Sequence, residues 1–406
     1  MTRFLTRYLI LTLIIVAALA GFNAITDPYS LIGTPRIDAF NATKPAAASR
    51  TRLFKPYALD SYQANTVILG NSRPEIGLDP RSTCWQERHG RVYNFAIPGL
   101  TAKAQLTALE HVLTMPDIQH VFVGIDLADH LYPRNNTSHS HSPAAQQFLT
   151  RLPQQTSPMD WHLRRTQDLF NALFSITALK DSVSTIVSQQ RSFTANRTEQ
   201  GFNPARDLAG VAKHEGVEIL FRQKMSEVNR RFAQPDLVLF DDNGRNQEMD
   251  LLASAIALAN ERNIKLTLFI NPYHGYYLQA IAQHGHWQAF EQLKTALHQV
   301  VEPYANVTLW DFAVFNSYSQ LDTALAAQWF WEPGHYKSTL GDLMLAQMLN
   351  ASCVTAPSEI VGVQLREDTL NRHLTHQREL LPAQRLSAST IETVSISQNE
   401  IAVQSH

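Results

Sequence analysis

The longest apolar pattern in the chain is an uncharged run from Tyr8 to Thr26 (YLILTLIIVAALAGFNAIT), preceded by Arg3 and Arg7 and followed by Asp27 as the first acid. It is close to the ~20 residues a helix needs to cross a bilayer. Cations on its leading side and none soon after predict an anchor with its N-terminus inside and the rest of the chain on the extracytoplasmic, periplasmic side. Ala18-Leu19-Ala20 also fits a signal-peptide cleavage site, so removal of the segment is the competing reading. Retention is preferred because the run is longer than the usual apolar region of a signal peptide. A soluble core helix fits poorly, because the run has almost no polar face.

Short apolar runs bounded by turn residues recur after residue 60: Asn65–Leu69, Arg91–Ala96, His120–Ile125, Ile264–Ile270 and Val307–Asp311. Such near-continuous runs suit parallel strands buried on both faces. Between them, 103–113 (KAQLTALEHVL), 249–262 and 287–301 carry helical spacing. Alternating strands and helices predict a doubly wound, mainly parallel, five-stranded α/β sheet of the flavodoxin-like kind. The residues just after each strand then lie on the edge where such sheets bind ligands.

The pattern divides the chain into an anchor or signal (1–26), a linker rich in Pro, Ala and Thr (27–60), an α/β domain in two pieces (61–132 and 246–353), a mainly helical insertion between them (133–245) and a polar C-terminal tail (354–406). Within the tail, 365–380 reads as an exposed helix. The insertion is placed to cap the ligand edge.

Composition narrows the function classes. Thirty-four Lys+Arg against 36 Asp+Glu leave a net charge of -2, which lacks the basic footprint of a nucleic-acid binder. With 44% hydrophobic and 17% charged residues, most of the 406 residues should fold. Two cysteines, Cys84 and Cys353, are able to pair in an oxidising compartment, or to be separate buried thiols.

Ser72 follows the first strand in Gly70-Asn71-Ser72-Arg73-Pro74. A glycine before it permits a tight turn, and a helix after it aims backbone N–H groups at negative charge. The same residues also suit a plain strand-to-helix turn with a capping Ser. His335 lies in Trp331-Glu332-Pro333-Gly334-His335. A serine nucleophile needs a base, and the base needs an orienting partner; a Pro-Gly turn is able to bring Glu332 to the imidazole. Sixteen His occur in the chain, so one Glu-x-x-His is unremarkable alone. The stretch from Asn271 to Tyr277 follows the fourth strand, where its aromatics either stack on sugar rings or pack as a loop. His139, His141, His284 and His286 have loose His-x-His spacing without a completing acid, so they read as solvated loops, and no metal or other cofactor is expected.

Taken together, Ile68-Leu69-Gly70-Asn71-Ser72, Asn94-Phe95-Ala96-Ile97-Pro98-Gly99, Gly124-Ile125-Asp126 and Glu332-Pro333-Gly334-His335 resemble the ordered blocks of the SGNH (GDSL-like) hydrolase superfamily. The anchor, the Gly-x-Ser-Arg turn and the Val-Gly-Ile-Asp strand end are similar to its membrane-anchored envelope members, such as alginate-acetylation and D-alanyl-transfer proteins. The resemblance covers roughly residues 60 to 352, the insertion excepted. It implies Ser72 as nucleophile, His335 as base and Glu332 where the family usually has Asp, with the amides of Ser72 and Gly99 in the oxyanion hole. The family's third donor is an Asn after the third strand; here Asp126 stands near that place, and an ionised Asp cannot donate. Asn271 is the candidate replacement donor and is placed with Asp126 in substrate binding, while Arg73 either binds an anionic substrate group or pairs structurally with an acid, the latter preferred. The usual acid before the nucleophile is Asn71. The implied activity is esterase or O-acyltransferase chemistry on an acylated envelope glycan or small ester, alone or beside a membrane acyl-donor protein. A non-catalytic binding or acylation-complex protein of the same fold is the alternative.

Overall fold

The computed structural model of the protein describes residues 1–134, 142–354 and 360–383. Its strands in chain order are β1 (Thr66–Leu69), β2 (Val92–Asn94), β3 (His120–Ile125), β4 (Tyr132–Pro133), β5 (Leu237–Val238), β6 (Lys265–Ile270), β7 (Val307–Asp311), β8 (Phe330–Glu332), β9 (His335–Tyr336) and β10 (Val363–Gln364). Six of them form one sheet in the order β10-β7-β6-β3-β1-β2, parallel except for β10. The five expected parallel strands are present, and β10 adds a sixth at the edge. Successive strand residues point to opposite faces. Thus Val67, Leu69, Val121, Val123, Leu266 and Leu268 join the core beneath the helices Ala102–Thr114, Gln247–Glu261 and Trp287–Val301. Ile68, Phe122 and Phe269 face the other way, toward Ser338–Leu349. Burial on both faces explains why these strands carry no polar alternation.

Two boundaries differ from the sequence reading. The stretch 27–60 is no loose linker: it folds into helices Pro45–Ser49 and Thr51–Tyr62 and buries Phe54, Tyr57 and Leu59. Lys55 is fully buried 2.9 Å from Glu75, which also receives Arg197 of the insertion at 2.9 Å. Burial lowers the Lys55 pKa to about 8, with Glu75 opposing the fall. The charged pattern of this segment hid a buried ion-pair cluster that ties the linker and the insertion to the helix Ser72–Gly77. The polar tail likewise begins inside the domain. Helix Glu367–Ala383 is packed rather than exposed, burying Leu370 and Leu374, while His373 Nε2 lies 2.8 Å from Asp311. Its apolar positions are too few to stand out against Glu, Asp and Arg neighbours. The rest of the expected tail, 384–406, lies outside the described residues.

The insertion is helical: Pro143–Leu149, Pro158–Phe174, Ile176–Val187, Arg206–Glu215 and Val217–Phe232. The antiparallel pair β4–β5 clasps its two ends. Among the described residues, one helix, Thr2–Thr26, is long and apolar enough to cross a membrane. Its final turns dock on the insertion, where Asn23 donates to the Leu173 carbonyl at 2.8 Å and Thr26 to Ser182 at 2.7 Å. Cys84 and Cys353, 269 residues apart, form a disulfide.

Candidate active site

β1 ends under the sheet's carboxyl edge, and the chain turns through Gly70 into the short helix Ser72–Gly77. Asn71 caps it, its Oδ1 accepting the Arg73 amide at 3.0 Å. Ser72 is the first helical residue, so its own N–H has no acceptor within the helix.

The second part of the site comes from the opposite end of the sequence. β8 and β9 pair as an antiparallel hairpin whose turn is Pro333-Gly334. The turn folds Glu332 back onto His335: Glu332 Oε1 is hydrogen-bonded to His335 Nδ1, and Glu332 Oε2 accepts the Gly334 amide at 2.8 Å. His335 Nε2 lies 2.7 Å from Ser72 Oγ. Glu332 is buried. Burial alone raises a carboxyl pKa, but His335, Lys224 and the Gly334 amide hold this one below its ordinary range. Lys224 of the insertion reaches to 3.9 Å from Glu332.

Two glycines allow the arm to come this close. A Cβ on Gly341 would sit 1.8 Å from the Gly77 carbonyl oxygen, and one on Gly77 would sit 1.9 Å from the Tyr336 ring. Helix Ser338–Leu349 and the β9 residue Tyr336 therefore press directly on the helix that presents Ser72.

Beneath Ser72 is a buried polar floor. Arg73 Nη1 pairs with Asp126 at 2.8 Å, and Arg73 Nη2 donates to the Tyr277 hydroxyl at 3.0 Å. Asp126 also accepts from Asn71 at 2.6 Å, from Asn271 at 3.3 Å and from the Tyr273 hydroxyl. Burial disfavours the Arg73 charge, but Asp126, together with Tyr277, Tyr273 and Asp129, outweighs it and holds the guanidinium protonated well above its ordinary pKa. Asp129 accepts from Asn71 and Gln105, each at 2.9 Å. Burial, and then the neighbouring Asp126, push its pKa up.

A cavity of about 590 Å³ opens over this floor, within the size range of small-molecule sites. Ser72, His335, Gly99 and Arg73 line it, and the insertion helix Val217–Phe232 supplies Lys224, Glu227 and Arg231 to its wall. Arg231 ties that wall to the turn after β3, donating to the carbonyls of Ala128 and Leu131 at 2.8 Å each.

The sequence-predicted residues thus fall into two groups. Ser72, His335 and Gly99 line the cavity, with Glu332 buried behind His335. Asp126 and Asn271 do not: both are buried in the floor, and neither lines the cavity. Asn271 is no replacement oxyanion donor, because its amide already donates to the Ile125 carbonyl and to Asp126. Arg73 touches the cavity, with its charge compensated by Asp126. Tyr273 and Tyr277 stack on each other with ring centroids 4.3 Å apart; Tyr273 is buried behind Tyr277, and Tyr277 lines the cavity. Sequence reading missed Asp129, Gln105 and Lys224; only Asp129, three residues past Asp126 on the ligand edge, carried a positional signal.

His284 and His286 are half-buried rather than solvated, bonded to Asn229 and to the Phe232 carbonyl; His139 and His141 lie outside the described residues. No cluster of three or more His, Cys, Asp or Glu suited to a metal occurs among the described residues. A scan against protein-family models gives no match, and a search of curated proteins finds none.

Proposed function

We propose that the protein is an SGNH-type serine esterase or O-acyltransferase. The observation that carries this reading is the hydrogen-bonded series Ser72–His335–Glu332 at the floor of an open cavity. His335 Nε2 accepts the Ser72 proton as Oγ attacks the acyl carbon, and ionised Glu332 stabilises the imidazolium through Nδ1. The tetrahedral oxyanion meets the amides of Ser72 and Gly99. Collapse expels the alcohol, which takes the proton from His335 and leaves an acyl-Ser72. Water or a sugar hydroxyl then attacks, with His335 as base, and the acyl group leaves Ser72.

The strand order supports the superfamily. Numbered among themselves, the parallel strands run 2-1-3-4-5, and Ser72 follows the strand at the point where that order reverses, where ligands bind in doubly wound sheets. The Thr2–Thr26 helix and the Cys84–Cys353 bond support a membrane-anchored protein on the extracytoplasmic side, facing acylated envelope glycans or small esters. The engaged Asp126 and Asn271 favour the second reading, a non-catalytic or complex-dependent protein, since a hole of two amides lacks a donor worth about a hundred- to a thousandfold in rate.

A fluorophosphonate probe separates the two. The enzyme reading expects labelling of full-length protein and none of Ser72→Ala, together with hydrolysis of p-nitrophenyl acetate. Absence of both from the wild type overturns it as an autonomous enzyme. Unchanged glycan acyl content in a Ser72→Ala strain then overturns the complex-dependent form as well.

A further inference from the structure

The uncharged part of the first helix runs on into the folded domain, so only its leading half stands free as a membrane anchor. Its side chains are all exposed as far as Ala18, and from Leu19 to Thr26 the domain covers each one partly or fully except Ile25. Tyr8 to Ala18 spans about 16 Å at 1.5 Å per residue, against a hydrocarbon core of ~30 Å. The missing length is the stretch Leu19–Thr26, which is already packed on the insertion through Asn23 and Thr26. If this helix crosses a bilayer, the elbow between helices Pro158–Phe174 and Ile176–Val187 is drawn down to the membrane surface.

The outer faces of these two helices match that position. Met159, Leu163, Phe170 and Phe174 are spaced by four, seven and four residues, which puts them on one stripe, and all four are exposed, Met159 by 78%. Ile176, Val183 and Val187 form a second exposed stripe, with Ile176 exposed by 81%. The opposite faces bury Trp161, Ala172 and Ala178, so the outward apolar side chains are not simply misplaced core. Exposed Lys180 lies on the second stripe, where its stem can follow the apolar surface while its ammonium meets anionic headgroups.

We propose that this helical elbow is a membrane seat: an interfacial amphipathic surface that inserts its two stripes into the acyl boundary of the bilayer and completes the short span of the first helix. The proposal rests on the anchored reading of that helix. It fixes the catalytic domain against the membrane instead of letting it swing on a tether.

The test uses full-length protein with single cysteines placed at Met159, Phe170 or Val187, and at Gln299 as a control, each carrying an environment-sensitive fluorophore. All are exposed, so labelling leaves the packing in place. In vesicles of phosphatidylethanolamine and phosphatidylglycerol, the three seat labels should shift to the blue and lose fluorescence when the acyl chains are brominated, while Gln299 does neither. Vesicles that float the protein with seat labels as aqueous as Gln299 overturn the seat and leave the anchor standing. Seat labels shielded in native membranes but aqueous in pure lipid also overturn it, in favour of a membrane-protein partner. Failure to float overturns anchor and seat together.

Discussion

The arm that carries Glu332 and His335 and the floor that holds Arg73 are both built on buried carboxylates, yet they fix them over different distances in sequence. Glu332 and His335 are three residues apart on one hairpin, and the same turn supplies the Gly334 amide to the acid. Asp126 gathers Asn71, Arg73, Asn271 and Tyr273 from separate segments. The arm is thus complete in itself, whereas the floor exists only when the sheet has formed. On the proposed reading, damage to the arm should remove chemistry and spare the fold, and damage to the floor should do the reverse.

The largest expected effects lie on the arm. On the proposed reading, Ser72→Ala and His335→Ala each lower kcat by about 10⁴- to 10⁶-fold, and Glu332→Gln costs roughly ten- to a hundredfold less, with unfolding midpoints unchanged. Steady-state esterase kinetics and urea melts check both halves. On the floor, Asp126→Asn strands the Arg73 charge and should remove about 3–5 kcal/mol of stability, read from urea unfolding. An Asp126→Asn protein as stable as wild type would break the comparison. Opening the covalent link with Cys84→Ser and Cys353→Ser together should cost about 2–5 kcal/mol in the same measurement, since it frees a long loop of the unfolded chain.

Acid probes the contact between arm and sheet. The amide of His274 bonds the Pro333 carbonyl at 3.0 Å, and burial lowers its imidazole pKa to about 4. Below about pH 6.5 the unfolded chain takes up a proton that the folded one refuses, so stability falls as pH drops from about 6.5 to about 4 and levels beyond that. His274→Gln should flatten that slope by on the order of 3 kcal/mol across the window, seen as urea midpoints that change less between pH 7 and pH 4.5. The smallest effect belongs to Lys224, half-buried on the cavity wall. Lys224→Ala withdraws a positive charge from Glu332, so the acid limb of the rate profile should move slightly to higher pH, with little change in kcat at pH 8.

What could be read from the sequence follows the same division. The five parallel strands were legible because burial on both faces leaves uninterrupted apolar runs, and the arm was legible because Glu332 and His335 lie within one turn. The floor was not. Asp126 and Asn271 suggested solvent-facing chemistry by their place after β3 and β6, and only the fold shows them turned inward onto each other. Lys55 and Glu75 were hidden for the same reason: a charge in a polar stretch looks solvated until its partner arrives from elsewhere in the chain. β10 and helix Glu367–Ala383 escaped because two residues of strand show no period and two buried leucines make a faint stripe.

The hydrogen bond between His335 and Ser72 joins positions 263 residues apart, and the disulfide nearby joins positions 269 apart. On the proposed reading, a chain still in transit across a membrane has its serine-bearing end long before the histidine arrives, so it would travel as an inert precursor. Reactivity toward a serine probe would then mark the moment of completed maturation, and following it over time would count finished molecules rather than synthesised ones.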